Sequence, residues 1–228
     1  MTGIIGAMQV EVEGLIKKMS NTVIDVYSGV TFVRGKLGDT DVVVAKCGMG
    51  KVNAAVCVQT MILMYKPKII LNTGVAGSIS NALRIGDIVI GQFVVQHDYD
   101  LTPIGHEKGY IEEVDKILFP CDQSAVEILE KIAAKHGTYH TGVIATGDQF
   151  VDRIDIKNEI SGKFNALAVE MEGASLAHVC DLNNIPFGIV RVISDSADMD
   201  SHFEFFKFVE ETAKISIEII SEFVQINK

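Results

Sequence analysis

Positive charge is scarce in this chain. Its 228 residues hold 20 lysines and arginines against 30 aspartates and glutamates, a formal net charge of −10 at pH 7. Such a surface opposes phosphate backbones and anionic lipid, where Lys and Arg must replace released counterions, so neither nucleic acid nor a membrane is an expected partner. Long apolar runs are lacking too: none approaches the roughly 20 residues that span a bilayer, and the apolar start at residues 1–9 carries no basic leader. A cytoplasmic location is the expectation. Cysteine is sparse, and Cys47, Cys57, Cys121 and Cys180 stand far apart without a Cys-x-x-Cys pair. That spacing argues against a zinc knuckle or a disulfide framework and in favour of buried thiols. Repeats, low-complexity tracts and linkers are missing as well, so residues 1–228 read as a single domain.

What is present is the composition of a compact protein, 48% hydrophobic and 22% charged. Continuous β-branched runs fall at 3–7, 42–46, 69–73, 88–95, 142–146, 166–170 and 187–193, without the polar alternation of half-exposed strands. Between them, apolar positions recur every three or four residues at about 10–19, 51–65, 124–135, 172–183 and 205–225, the period of amphipathic helices. Alternating β and α predict an α/β fold, a three-layer helix-sheet-helix sandwich with a mixed, mostly parallel central sheet. Residues 31–37 and 42–46 form its predicted antiparallel hairpin around Gly38-Asp39-Thr40. The polar stretch 98–122 is read as a lid or interface loop.

In open α/β sheets ligands bind beyond the carboxyl ends of the strands. There this chain places Gly6-Ala7-Met8-Gln9-Val10-Glu11, Gly48-Met49-Gly50, Gly74-Val75-Ala76-Gly77 and Gly147-Asp148-Gln149-Phe150. Glycine lets backbone approach a ligand closely, although each turn taken singly is ordinary strand-to-helix punctuation. Gly48 to Ala54 also resembles a loose dinucleotide-binding turn, but Asn72-Thr73 stands where a ribose-binding acid belongs. Acid then arrives at two strand ends, in Glu170-Met171-Glu172 and in Arg191-Val192-Ile193-Ser194-Asp195. Glu11 and Glu172 could serve as first-turn or capping acids, and Glu170 could pair with Arg191. Asp195 resists a capping role, because residues 197–200 make a poor helix start. Carboxylates and an arginine at one sheet edge suit a reaction needing an acid, a base and an ordered water, as glycosidic cleavage does. His97, Asp98 and Asp100 contain metal-ligand types, but their setting in a polar loop predicts no metal.

Gly3-Ile4-Ile5-Gly6-Ala7-Met8 with Glu11, Asn72 to Gly77, Gly147 to Phe150, residues 168–174 and Arg191 to Asp195 resemble the 5′-methylthioadenosine/S-adenosylhomocysteine nucleosidase family, within the nucleoside phosphorylase superfamily. His97 to Thr102 and Ser201 to Phe205 extend the resemblance over nearly the whole chain. It implies a nucleoside substrate, no cofactor, and a homodimer whose 101–111 loop completes the partner's pocket. It implies Glu11 as the base that activates water, held jointly with Arg191, and Asp195 as the acid that protonates adenine N7, oriented by Ser194. Phe150 would stack on the purine and the Val151 backbone read its polar edge, with Gly77 in the same binding set. Met171 and Glu172 would grip the ribose hydroxyls, and Met8, Ile104 and Phe205 would line an apolar slot for the 5′-thioether. Val75 departs from a frequent Ser, and Ile104 from a frequent Phe, which puts side-chain preference in question. Two rivals stand beside this reading: a phosphorylase, which needs cations around phosphate, and a nucleoside-binding module, which needs neither Glu11 nor Asp195.

Overall fold

The structure is a computed structural model that describes residues 1–226. In chain order the elements are β1 (Thr2–Gly6), α1 (Gln9–Lys18), β2 (Ser20–Tyr27), β3 (Val30–Leu37), β4 (Thr40–Lys46), α2 (Lys51–Tyr65), β5 (Ile69–Ser78) and β6 (Ile88–Gln96). They continue with β7 (Leu118–Pro120), α3 (Gln123–His136), β8 (Tyr139–Thr146), α4 (Ile154–Phe164), β9 (Ala166–Glu170), α5 (Gly173–Leu182), β10 (Phe187–Asp195) and α6 (Ser201–Ile226).

The strands join one mixed sheet in the order β10-β6-β8-β9-β5-β1-β4-β3-β2, with β7 beside β6 and a further pairing of β10 with β5. β1 lies parallel to β4 and β5, β10 parallel to β5, and β8 parallel to β6 and β9. The β10–β5 pairing closes β5, β10, β6, β8 and β9 into a ring. β5 makes this closure possible by running to Ser78: Ile70–Gly77 pairs with β10, while Gly77 and Ser78 turn to meet Val169 and Ala168 of β9. The Gly74–Gly77 stretch, expected to be a loop, is therefore strand.

α1, α3 and α6 pack together, and α2 packs on α5 across the sheet. β1 and β10 are buried throughout, as their unbroken apolar runs predict. Along α6 the buried positions Ala213, Ser216, Ile217, Ile220 and Phe223 repeat at helical spacing, small residues among large ones. A side chain such as Ile220 or Phe223, fully buried here, contributes roughly 1.5–3 kcal/mol.

Several elements lie outside the sequence expectation. β2 extends the predicted hairpin outward, yet seven of its eight residues are exposed, so no buried face marks it in the sequence. α4 has no counterpart among the expected helices, and α6 starts at Ser201, four residues ahead of 205. The 98–122 stretch is partly ordered, with 3-10 turns at Thr102–Ile104 and Glu112–Val114 and then β7. No helix among the described residues is long and apolar enough to cross a membrane. Cys47, Cys57, Cys121 and Cys180 are buried free thiols.

Candidate active site

A cavity of about 470 Å³ opens where β1, β5, β9 and β10 end, and its lining includes Met8, Glu11, Val75, Gly77, Phe150, Glu170, Met171, Glu172, Ser194, Asp195 and Phe205. A smaller adjoining lobe adds Gln149 and Val151 beside Gly77, Phe150, Met171 and Asp195.

Glu11 sits in the first turn of α1 with its carboxylate turned back over the end of β1. Oε2 accepts the N–H groups of Ala7 at 2.7 Å and Met8 at 2.8 Å, and Oε1 accepts that of Val75 at 3.1 Å. Burial nonetheless raises its pKa, opposed by these N–H groups and by the charge of Arg191. A Cβ at Gly74 would collide with this carboxylate, so the glycine there makes room for an acid. Val75 contributes its N–H to the seat, which needs no side-chain hydroxyl.

Asp195 ends β10. Its Oδ1 accepts the Ala197 N–H at 3.0 Å and its Oδ2 faces the Ser194 hydroxyl at 2.9 Å. Ser194 Oγ has a second acceptor in the Ala76 carbonyl at 3.4 Å, so its one proton can leave Asp195 when that acid is protonated. Burial raises the Asp195 pKa, with Ser194 and Ala197 acting against it and the charges of Glu204 and Asp198 acting with it.

Glu170 and Glu172 divide the work at the mouth of β9. Glu170 accepts the N–H groups of Glu172 at 3.1 Å and Gly173 at 2.8 Å, fixing it at the N-terminus of α5 where the helix dipole favours an anion. It also binds the Thr146 hydroxyl and forms the ion pair with Arg191, at 2.5 Å. Glu172 is the N-cap residue, but its side chain makes no cap bond and turns into the cavity. Its Oε1 accepts the Gly50 N–H at 2.7 Å, and burial together with the charge of Glu170 holds its pKa far above the usual carboxylate range. The Gly48-Met49-Gly50 turn thus orients an acid of this chain.

Arg191 stands behind the cavity lining. Its guanidinium bonds to Glu170, the Asn72 side-chain oxygen and the Val190 carbonyl, and it is not among the residues lining the cavity. Its charge acts on Glu11 from there. Ile104, in the loop expected to complete a partner's pocket, is 71% exposed on its 3-10 turn and stands outside the cavity of its own chain. Phe150 and Phe205 do meet, edge to face with ring centroids 5.8 Å apart. Met8, Gly77, Val151, Met171, Glu172 and Ser194 all reach the cavity or its adjoining lobe.

Met49, which also lines the cavity, was not singled out, although its place between two glycines after β4 marked it. Asn72 and Thr146 were likewise missed as supports of Arg191 and Glu170, because an uncharged polar residue inside a strand, as Asn72 in β5, or at its end, as Thr146 in β8, has no sequence signal of its own. Asp98 is engaged within the protein, by Lys51 Nζ at 2.7 Å and the Asp148 N–H at 2.9 Å, and Asp100 accepts the Thr102 N–H at 2.9 Å.

Residues 2–225 match the model of the phosphorylase superfamily. A 5′-methylthioadenosine/S-adenosylhomocysteine nucleosidase from Staphylococcus aureus is 36% identical over 226 residues, covering 98% of this chain and 99% of its own. The crystal structure of the Neisseria meningitidis nucleosidase, in complex with methylthio-immucillin-A, superposes with a TM-score of 0.95 at 33% identity, covering 99% of this chain and 98% of that one. A futalosine hydrolase of Helicobacter pylori gives the same TM-score, 0.95, at 33% identity over 99% of this chain and 97% of its own. With relatives matched end to end in both sequence and fold, the chain belongs to the 5′-methylthioadenosine/S-adenosylhomocysteine nucleosidase family of the phosphorylase superfamily.

Proposed function

We propose that the cavity hydrolyses the N-glycosidic bond of 5′-methylthioadenosine and S-adenosylhomocysteine, with Glu11 as base and Asp195 as acid. The observation that carries hydrolysis is the lack of cations in the lining: Glu11, Glu172 and Asp195 face the cavity, and no described residue lining it is a lysine or arginine. Phosphate would find no cationic partner there, whereas a neutral water needs none. Arg191 does not alter this, because Glu170 already neutralises it.

Adenine leaves as an anion unless N7 receives a proton. Asp195 keeps its proton more readily than an ordinary carboxyl, since burial disfavours its charge. It shares the adjoining lobe with Phe150, whose face suits a flat base, and with Val151, whose backbone is at hand for the purine edge. As the C1′–N9 bond breaks, its electron pair passes to the ring and N7 takes the Asp195 proton. Water adds to C1′ from the opposite face and gives its proton to Glu11, whose raised pKa makes it a stronger base. Glu172 and Met171 meet the ribose, while Met8 and Phe205 offer apolar surface to the 5′-thioether. This division of labour also separates an enzyme from a binding module, which has no use for two buried carboxylates of raised pKa.

The test is adenine release from 5′-methylthioadenosine, S-adenosylhomocysteine, 5′-deoxyadenosine and 6-amino-6-deoxyfutalosine, each with and without phosphate. Release at the same rate without phosphate is expected, and a phosphate requirement overturns hydrolysis.

A homodimer accompanies this reading. Val52, Val56 and Leu63 form one stripe along α2, with Val52 73% and Leu63 65% exposed, and Ile104 and Met49 are exposed as well. A contiguous apolar stripe of this kind marks an interaction surface. Ile104 would then serve the partner's thioether slot, which explains its absence from the cavity of its own chain. Buried free thiols agree with a reducing cytoplasm.

A further inference from the structure

The turn that follows Asp195 contains a feature that neither the substrate nor the fold demands. Ala197 is fully buried and adopts φ +47°, a left-handed conformation that is unfavourable for a non-glycine residue. That conformation sends its N–H back to Asp195 Oδ1. The same peptide group carries the Ser196 carbonyl, and this oxygen accepts Lys157 Nζ at 2.6 Å. Lys157 comes from α4, its side chain buried, outside the cavity lining. On the other side of Ser196, its own N–H donates to Glu204 Oε2 at 2.8 Å.

A cation on an amide oxygen deepens the amide dipole and strengthens the N–H at its other end as a donor. The chain of contacts runs from Lys157 through the Ser196–Ala197 amide to the Asp195 carboxyl. We propose that Lys157 is a positioning residue for proton donation to the leaving base. Through that amide it fixes the Asp195 carboxyl and stabilises the carboxylate that remains once the proton has moved to N7. The proposal rests on Asp195 being the acid, and it assigns a role in the reaction to a lysine that touches no substrate.

A tether that merely holds the turn to α4 would affect every substrate alike. A role in proton donation affects a substrate in proportion to its leaving group's need for a proton. The experiment therefore compares 5′-methylthioadenosine with 4-nitrophenyl 5-methylthio-β-D-ribofuranoside, whose phenolate departs unprotonated, in wild type, Lys157→Met, Lys157→Arg and Asp195→Asn. For Lys157→Met, kcat on methylthioadenosine is expected to fall about 10- to 100-fold at nearly constant KM, with the aryl riboside changed by less than about 3-fold. Lys157→Arg restores most of the loss. Equal losses on both substrates, or none on either, overturn the proposal. Activity on the aryl riboside also reports folding; if Lys157→Met is not recovered folded, Lys157→Gln, which keeps a donor without the charge, is judged by the same criterion. Asp195→Asn separates the two layers of the argument: if it fails to spare the aryl riboside selectively, the acid assignment falls, whereas if it does so and Lys157→Met does not, the role of Lys157 alone falls.

Discussion

At the scale of the residue, Asp195 is held in conflict with itself. Proton donation needs a neutral carboxyl, which burial supplies, yet Ala197 and Ser194 are arranged to welcome the anion. Asp195→Asn keeps the shape and removes the proton, so kcat for adenine release is expected to fall about 10²- to 10⁴-fold with little change in KM. The wild-type rate is expected to drop toward low pH as Glu11 takes up a proton and toward high pH as Asp195 loses its own; Asp195→Asn abolishes the second limb. The same substitution tests stability. Because the folded-state pKa of Asp195 is raised, the folded form binds that proton more tightly than the unfolded chain does. The stability so gained is present below the ordinary carboxylate range and is lost as pH rises through the folded value. Asp195→Asn is therefore expected to raise Tm at neutral pH, by about 2–4 °C for each kcal/mol of strain relieved, with the difference vanishing in acid. Differential scanning calorimetry across pH reads both.

At the scale of the element, Arg191 binds distant strands into one unit. It stands inside β10, and its partners are Glu170 at the end of β9 and Asn72 in β5. Removing one member of a buried pair leaves the other charge uncompensated, so Arg191→Met is expected to cost about 3–5 kcal/mol, read from the urea midpoint. Elements were legible in the sequence to the degree that burial patterned them. β1 and β10 stood out because strands covered on both faces carry no polar interruption, and Asp195 because charge at such an end lacks a structural purpose; Glu11 and Glu172 also suit the first turn or cap of a helix, and the family resemblance singled them out. The exposed β2 presents no apolar face to betray it, and in α4 the buried Lys157 breaks the apolar period. Glu170 and Glu172, two apart in sequence, differ in partner only through the turn between them. Glu170 takes the arginine because the start of α5 turns it inward; Glu172 is left for the cavity.

At the scale of the whole molecule, the stripe on α2 predicts association. Val52→Asp combined with Leu63→Lys is expected to shift a dimer to monomer in sedimentation velocity and to weaken methylthioadenosine turnover, because Ile104 would no longer reach a second cavity. A wild-type chain that sediments as a monomer at micromolar concentration overturns the prediction. The closed ring of strands has a further consequence. Strands whose edges are all paired have little room to slip or lengthen, so variation among descendants of this chain is channelled to the other end of the sheet. There β2 stands last in the strand order, exposed along its length, and its turn into β3 passes through Gly29, which faces open space. Evolution, or an engineer inserting a reporter peptide, can extend the protein at that turn and leave its chemistry as it was.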